Sequence, residues 1–142
     1  MASIKTPCLG ICSTTSVGDV VCRGCKRYAF EVIDWNGYDV EAKSAVLSRI
    51  ERLSTQILEN KLRIFSEPNL RAGLNRFQIP YDELLSPYCW LHNLLKKGHG
   101  RMESLEEYGV YALGNYAGMP LSQLCEIIES DLLLLSEAHH AR

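Results

Sequence analysis

The chain has 142 residues, 46% of them hydrophobic, and a formal net charge of −2 at pH 7. That supports one ordinary packed domain, or a small module plus a helical body. It argues against a generic nucleic-acid-binding surface, and no apolar run reaches the roughly eighteen residues of a membrane-spanning helix.

The cysteines organise the N-terminal part. Four of the six, Cys8, Cys12, Cys22 and Cys25, form a C-x3-C pair and a C-x2-C pair separated by nine residues. Thiols this close in sequence can converge on one ion or one small cluster. Gly10 and Gly24 lie inside the two pairs, where a missing Cβ favours tight turns and lets backbone N–H groups approach sulfur. Two disulfides are one alternative, and thiols packed as small apolar residues are another. Met1 to Thr6 carries one lysine and no apolar run, so no signal peptide is expected. The expected location is cytoplasmic, where clustered thiols stay reduced and more often bind metal.

Charge is uneven along the chain. Residues 1–30 hold Lys5, Arg23, Lys26 and Arg27 against Asp19 alone, whereas residues 101–142 hold Arg101 and Arg142 against seven acids. Four thiolates around Zn²⁺, or around an oxidised four-iron cluster, leave a net charge near −2, which the nearby cations would offset. Contact of the same cations with a nucleic acid is the competing reading, which the overall acidity disfavours.

Residues 13–21 read as a polar loop with a turn at Gly18-Asp19, and Val20-Val21 as a very short strand. Lys26 to Trp35 reads as helical, with Phe30, Ile33 and Trp35 on one face, stopped by Asn36-Gly37. Arg27 and Glu31 have the i,i+4 spacing of a helical ion pair. Asp39 is a candidate N-cap. From Val40 to Phe65, Val46, Ile50, Leu53, Ile57 and Ile64 recur at steps of three and four, which predicts an amphipathic helix of about seven turns. Its polar face carries Glu41, Lys43, Arg49, Glu51, Arg52, Glu59 and Lys61.

Shorter helices are predicted over Glu67–Phe77, over Tyr88–Lys97 behind the Ser86-Pro87 start signal, and over Leu105–Leu113. A last helix follows Pro120, with Leu121, Leu124, Ile128, Leu132 and Leu135 as its apolar stripe. Almost no β-structure is expected. Cys89 and Cys125 sit on apolar helical segments and read as buried thiols. His92 reads as a helix-surface residue and His99 as an exposed loop residue between two glycines. His139 and His140 lie at a frayed end. There is no nucleophile motif, phosphate-binding glycine loop or H-E-x-x-H, which argues against an enzyme acting on a substrate by itself.

The N-terminal segment resembles the bacterial family called domain of unknown function 1289. The matching stretches are Pro7-Cys8-x-Gly10-Ile11-Cys12, Val21-Cys22-Arg23-Gly24-Cys25-x-Arg27, Glu31-Val32, Trp35 and Ala45-Val46-Leu47-x-Arg49-Ile50. The likeness spans residues 4 to about 50, and the loop between the cysteine pairs is longer and more polar here. Residues 67–142 resemble no family in their motifs. The resemblance implies a small bacterial metal-binding protein, of a family often described as iron–sulfur. Spacing alone favours neither ion: one C-x3-C pair departs from the paired C-x2-C of zinc ribbons, and the ferredoxin runs are missing.

The expected fold is mainly α: a four-cysteine metal-binding module over residues 1–37, then an all-α helical body over 38–142 made of a long amphipathic helix and a C-terminal helical bundle. The expected ligands are Cys8, Cys12, Cys22 and Cys25, holding an iron–sulfur cluster or one Zn²⁺. Arg27 and Trp35 are expected around them, Arg27 bonding a thiolate or nearby carbonyl and Trp35 covering the site or packing in the core. The expected role is electron transfer or an accessory function with a protein partner. The alternative is a zinc-stabilised interaction module without redox chemistry, working through its helices.

Overall fold

The computed structural model describes residues 13–16 and 18–141. In chain order these form α1 (Ser13–Ser16), α2 (Ala29–Asp34), α3 (Val40–Glu59), β1 (Leu62–Ile64), α4 (Glu67–Arg76), α5 (Pro87–Gly98), β2 (Val110–Ala112) and α6 (Leu121–His140). Short 3-10 turns stand at Trp35–Gly37, His99–Arg101, Glu106–Tyr108 and Gly114–Tyr116. The chain is therefore mainly helical, as its periodicity predicts. No described helix is long and apolar enough to cross a membrane.

Cap chemistry starts the helices where the sequence places them. Asp39 Oδ1 accepts the Ala42 N–H at 2.8 Å in front of α3. Ser66 Oγ accepts the Asn69 N–H at 3.3 Å and Ser86 Oγ the Tyr88 N–H at 3.2 Å, each followed by proline in the first turn. Each cap satisfies a backbone donor that has no partner inside its helix.

Two stretches differ from the periodic reading. The long helix stops at Glu59, and Leu62-Arg63-Ile64 instead pairs antiparallel with Val110-Tyr111-Ala112, with Leu62 opposite Ala112 and Ile64 opposite Val110. Ile64 satisfies a helical stripe and a two-residue alternation equally well, and the partner strand decides between them. That strand lies inside the predicted Leu105–Leu113 helix. Gly109 breaks that helix: its φ is +73°, its carbonyl accepts the N–H groups of Phe65 and Ser66, and a Cβ there would lie 2.2 Å from the Ser66 carbonyl oxygen. Only glycine fits such a close approach in the left-handed region.

Contacts divide the chain into two compact units, one of residues 1–53 and 131–142, the other of residues 54–130. In the first, Val21, Tyr28, Trp35, Val46 and Leu53 are buried, and the Tyr28 hydroxyl donates to the Ser136 carbonyl at 3.4 Å. The predicted face of α2 is only partly realised. Trp35 is buried, while Phe30 and Ile33 are 51% and 76% exposed, because α2 lasts little more than one and a half turns. In the second unit, Leu58, Leu62, Leu70, Leu74 and Leu94 are fully enclosed, each worth about 1.5–3 kcal/mol of burial.

Candidate metal centre

Cys22 and Cys25 lie on a tight hairpin. Val21 and Tyr28 form an antiparallel bridge. Inside it, Cys22 N–H donates to the Arg27 carbonyl at 2.8 Å and Lys26 N–H to the Cys22 carbonyl at 2.9 Å. Lys26 takes φ +66°, a conformation a lysine rarely adopts. This hairpin turns both sulfurs inward, and the two cysteines are 1% and 6% exposed.

The donors around the sulfurs are arranged for anions. Burial raises the Cys22 thiol's pKa, but the backbone N–H groups of Cys25, Ser13 and Gly24, together with the Cys25 side chain, hold it below its ordinary value. Burial holds the Cys25 thiol above its ordinary value, although Arg27 opposes this. Arg27 Nε donates to Cys25 Sγ at 3.3 Å. Its guanidinium also lies over the Trp35 ring, 4.9 Å from the centroid. Trp35 thus packs as a core aromatic and at the same time backs the cation that faces the sulfur. Lys43 Nζ approaches the same ring at 5.6 Å.

Lys26 and Arg27 are each 3% exposed. Lys26 Nζ donates to the Arg23 and Gly24 carbonyls of the cysteine turn, and Arg23 pairs with Asp19 at 3.0 Å. Two of the four cations read as a possible nucleic-acid contact therefore point into the protein. A buried cation is tolerated where an anion stands near it.

Cys8 and Cys12 lie outside the described residues. Ser13, the residue that follows Cys12 in the chain, is described and sits against the hairpin. Its hydroxyl accepts the Arg23 N–H at 2.8 Å, and its carbonyl accepts the Asp19 N–H at 3.1 Å. With its own N–H facing the Cys22 sulfur, Ser13 ties the start of the polar loop to the second cysteine pair.

Residues 6–54 match the family described as Protein of unknown function (DUF1289).

No curated protein and no solved structure matches the chain. The DUF1289 segment takes in all four N-terminal cysteines, the hairpin, α2 and most of α3. Its last residue lies one position beyond Leu53, where the first compact unit gives way to the second.

Within the DUF1289 segment, sequence reasoning missed Ser13 and did not foresee the contacts of Lys26, Glu31 and Arg49. Ser13 and Lys26 act through backbone turns that no spacing rule reveals. Glu31 does not pair with Arg27. Its Oε1 accepts the Tyr28 N–H at 2.8 Å, and both its oxygens bind Arg49, at 2.6 and 2.8 Å. Arg49, placed by the sequence on the polar face of α3, is instead half-buried. A partner eighteen residues away cannot be read from helical spacing.

The remaining chemistry-bearing residues lie in the second unit. His92 is not a surface residue: it is 7% exposed and donates through Nε2 to Glu129 Oε1 at 2.7 Å. His99 is half-buried in its 3-10 turn, with Nδ1 donating to the Leu95 carbonyl at 2.8 Å. Cys89 is buried, as expected. Cys125 is half-buried, and burial together with the Glu129 carboxylate pushes its pKa up to about 11. His92, His99, Cys125 and Glu129 border a cavity of about 340 Å³. Among the described residues, no three His, Cys, Asp or Glu side chains are placed to hold a metal ion.

Proposed function

We propose that the N-terminal module, residues 1–37, is a four-cysteine metal centre with Cys8, Cys12, Cys22 and Cys25 as ligands, in a cytoplasmic protein that serves as an electron-transfer or accessory factor for a protein partner. The observation that carries this reading is the set of donors turned on the two described sulfurs. Three backbone N–H groups face Cys22, a buried guanidinium donates to Cys25, and a second buried cation closes the turn. Such an array suits thiolates, and thiolate is the form that binds metal. The two buried cations would offset the net −2 of a four-thiolate centre. Ser13 supports convergence of the two cysteine pairs, because it follows Cys12 directly and packs on Cys22.

An iron–sulfur cluster is the first reading of the occupant. It would supply one-electron chemistry, and N–H···S and guanidinium···S bonds are the groups that tune its potential. One Zn²⁺ is the second reading, favoured by the close burial of both sulfurs in a segment with little apolar core of its own. Zinc there would hold the hairpin together and leave the helices as the interaction surface. Anaerobic purification with absorption spectroscopy and analysis of iron, acid-labile sulfide and zinc separates the two. Iron and sulfide with a brown chromophore establish a cluster, whereas about one zinc per colourless chain establishes the structural site. Neither metal in the purified or reconstituted protein would overturn the proposal.

A further inference from the structure

The hairpin that carries Cys22 and Cys25 is held from outside by a residue that touches no sulfur. Arg49 stands in the middle of α3, on the same side as the buried Val46 and Leu53, three residues before it and four after. From there its guanidinium reaches the hairpin at three points. It forms a two-bonded ion pair with Glu31, donates to the Lys26 carbonyl at 3.5 Å, and lies 3.9 Å from the centroid of the Tyr28 ring. Glu31 in turn accepts the Tyr28 N–H at 2.8 Å. These contacts clasp the backbone on both sides of Arg27, and Arg27 is the residue that presents its Nε to Cys25. Lys26 is held in the left-handed conformation at the same point.

The pair is enclosed. The Arg49 and Glu31 side chains are 12% and 5% exposed, so removing either partner leaves a buried charge without compensation. The fork geometry is specific to arginine, whose two terminal nitrogens match the two carboxylate oxygens and whose plane stacks on the tyrosine. Lysine could supply the charge but not the planar two-nitrogen fork or a planar stack on the ring.

We infer that Arg49 is a positioning residue for the metal centre, acting with Glu31 to lock the thiol hairpin onto α3, so that filling the centre and ordering the first half of α3 are one linked event. This rests on the metal-centre reading and extends it to residues outside the cysteine turn. It also accounts for a family segment that runs past the cysteines into α3: the helix supplies the other jaw of the clasp.

The test uses the full chain, reduced and metal-free, titrated with Co²⁺ as a spectroscopic probe of thiolate coordination. Wild type, Arg49→Met, Arg49→Lys, Glu31→Gln and Arg71→Met are compared, the last as a control that removes a half-exposed guanidinium in the second unit. Far-ultraviolet circular dichroism monitors folding. Arg49→Met is expected to weaken Co²⁺ binding about 10–100-fold and to alter the ligand-field bands, while Arg49→Lys restores part of the affinity and Arg71→Met changes neither. If Arg49→Met fails to fold, Arg49→Lys and Glu31→Gln carry the test. Wild-type affinity and an unchanged spectrum in both would overturn the inference while leaving the metal centre intact. A wild-type chain that binds no Co²⁺ would overturn the metal-centre reading and this inference together.

Discussion

Two thiol environments in this protein are built with opposite electrostatics. Around Cys22, backbone N–H groups turn toward sulfur, and beside Cys25 a guanidinium does the same. At Cys125 the Glu129 carboxylate, one helical turn away, adds to burial in raising the pKa, and the thiol donates weakly to the Leu95 carbonyl at 3.8 Å. Both regions are sheltered from water, so burial alone does not distinguish them. The difference lies in the sign of what surrounds the sulfur. Donors lower the Cys22 thiol and oppose the burial that raises Cys25, whereas at Cys125 burial and a carboxylate act in the same direction and keep the thiol protonated.

The largest expected effect breaks the first environment outright. Cys22→Ser is expected to abolish metal uptake and to remove hydrogen-exchange protection from the 21–28 hairpin, whereas Cys125→Ser retains full metal content. Elemental analysis of the two purified variants checks this, and equal metal in both would erase the distinction between the two thiols.

A second effect belongs to the second unit alone. Gly109→Ala forces a side chain into the left-handed region against the Ser66 carbonyl and is expected to cost about 1–3 kcal/mol, read as a lowered denaturant midpoint with unchanged metal stoichiometry. Metal loss in this variant would mean that the centre depends on the β1–β2 pair. A third change, Asp39→Ala, removes the cap of α3 and is expected to cost about 1 kcal/mol. It should also weaken metal binding slightly if α3 is part of the clasp.

The smallest effect sharpens the second environment. The Cys125 thiol ionises at about 11 in the folded chain against 9.0 for an unperturbed thiol. A pKa raised by folding means that the folded state resists ionisation. Stability is therefore complete below pH 9 and declines as pH rises from 9 through about 11. Cys125→Ala should flatten that part of the pH–stability curve. Glu129→Gln should shift the onset of Cys125 alkylation to lower pH, and a rate profile unchanged by Glu129→Gln would remove the carboxylate from the account.

How much of this was legible in the residues follows from the range of each interaction. Caps and stripes are local, so Asp39, Ser86-Pro87 and the Leu124–Ile128–Leu132 series placed their helices correctly. The end of α3 was not legible, because Ile64 suits a helix by period and a strand by alternation, and a segment more than forty residues away decides the matter. The β2 strand was hidden for the same reason. At the site, Arg27 was legible because it lies two residues from Cys25 and has the chemistry to face a thiolate. Its supposed partner Glu31 was misassigned: i,i+4 spacing predicts a pair only when both residues lie on one helix, and Arg27 precedes the start of α2. Arg49 and His92 were read as surface residues because charge and polarity suggest exposure. Each is sheltered by a carboxylate from elsewhere in the chain.

Trp35 has a consequence for optical measurements. The chain holds two tryptophans. Trp35 is stacked on the guanidinium that bonds Cys25, while Trp90 is anchored in the other unit by its indole N–H to the Asp82 carbonyl at 2.7 Å. With Trp90 replaced by phenylalanine, the emission of Trp35 becomes a native reporter of the cysteine turn, with no attached dye. An iron–sulfur cluster, which absorbs in the near ultraviolet and visible, would quench that emission by energy transfer, whereas Zn²⁺, which does not absorb at those wavelengths, would only shift it. The protein thus carries its own lamp beside the cysteine turn, and its brightness on loading would tell one proposed occupant from the other.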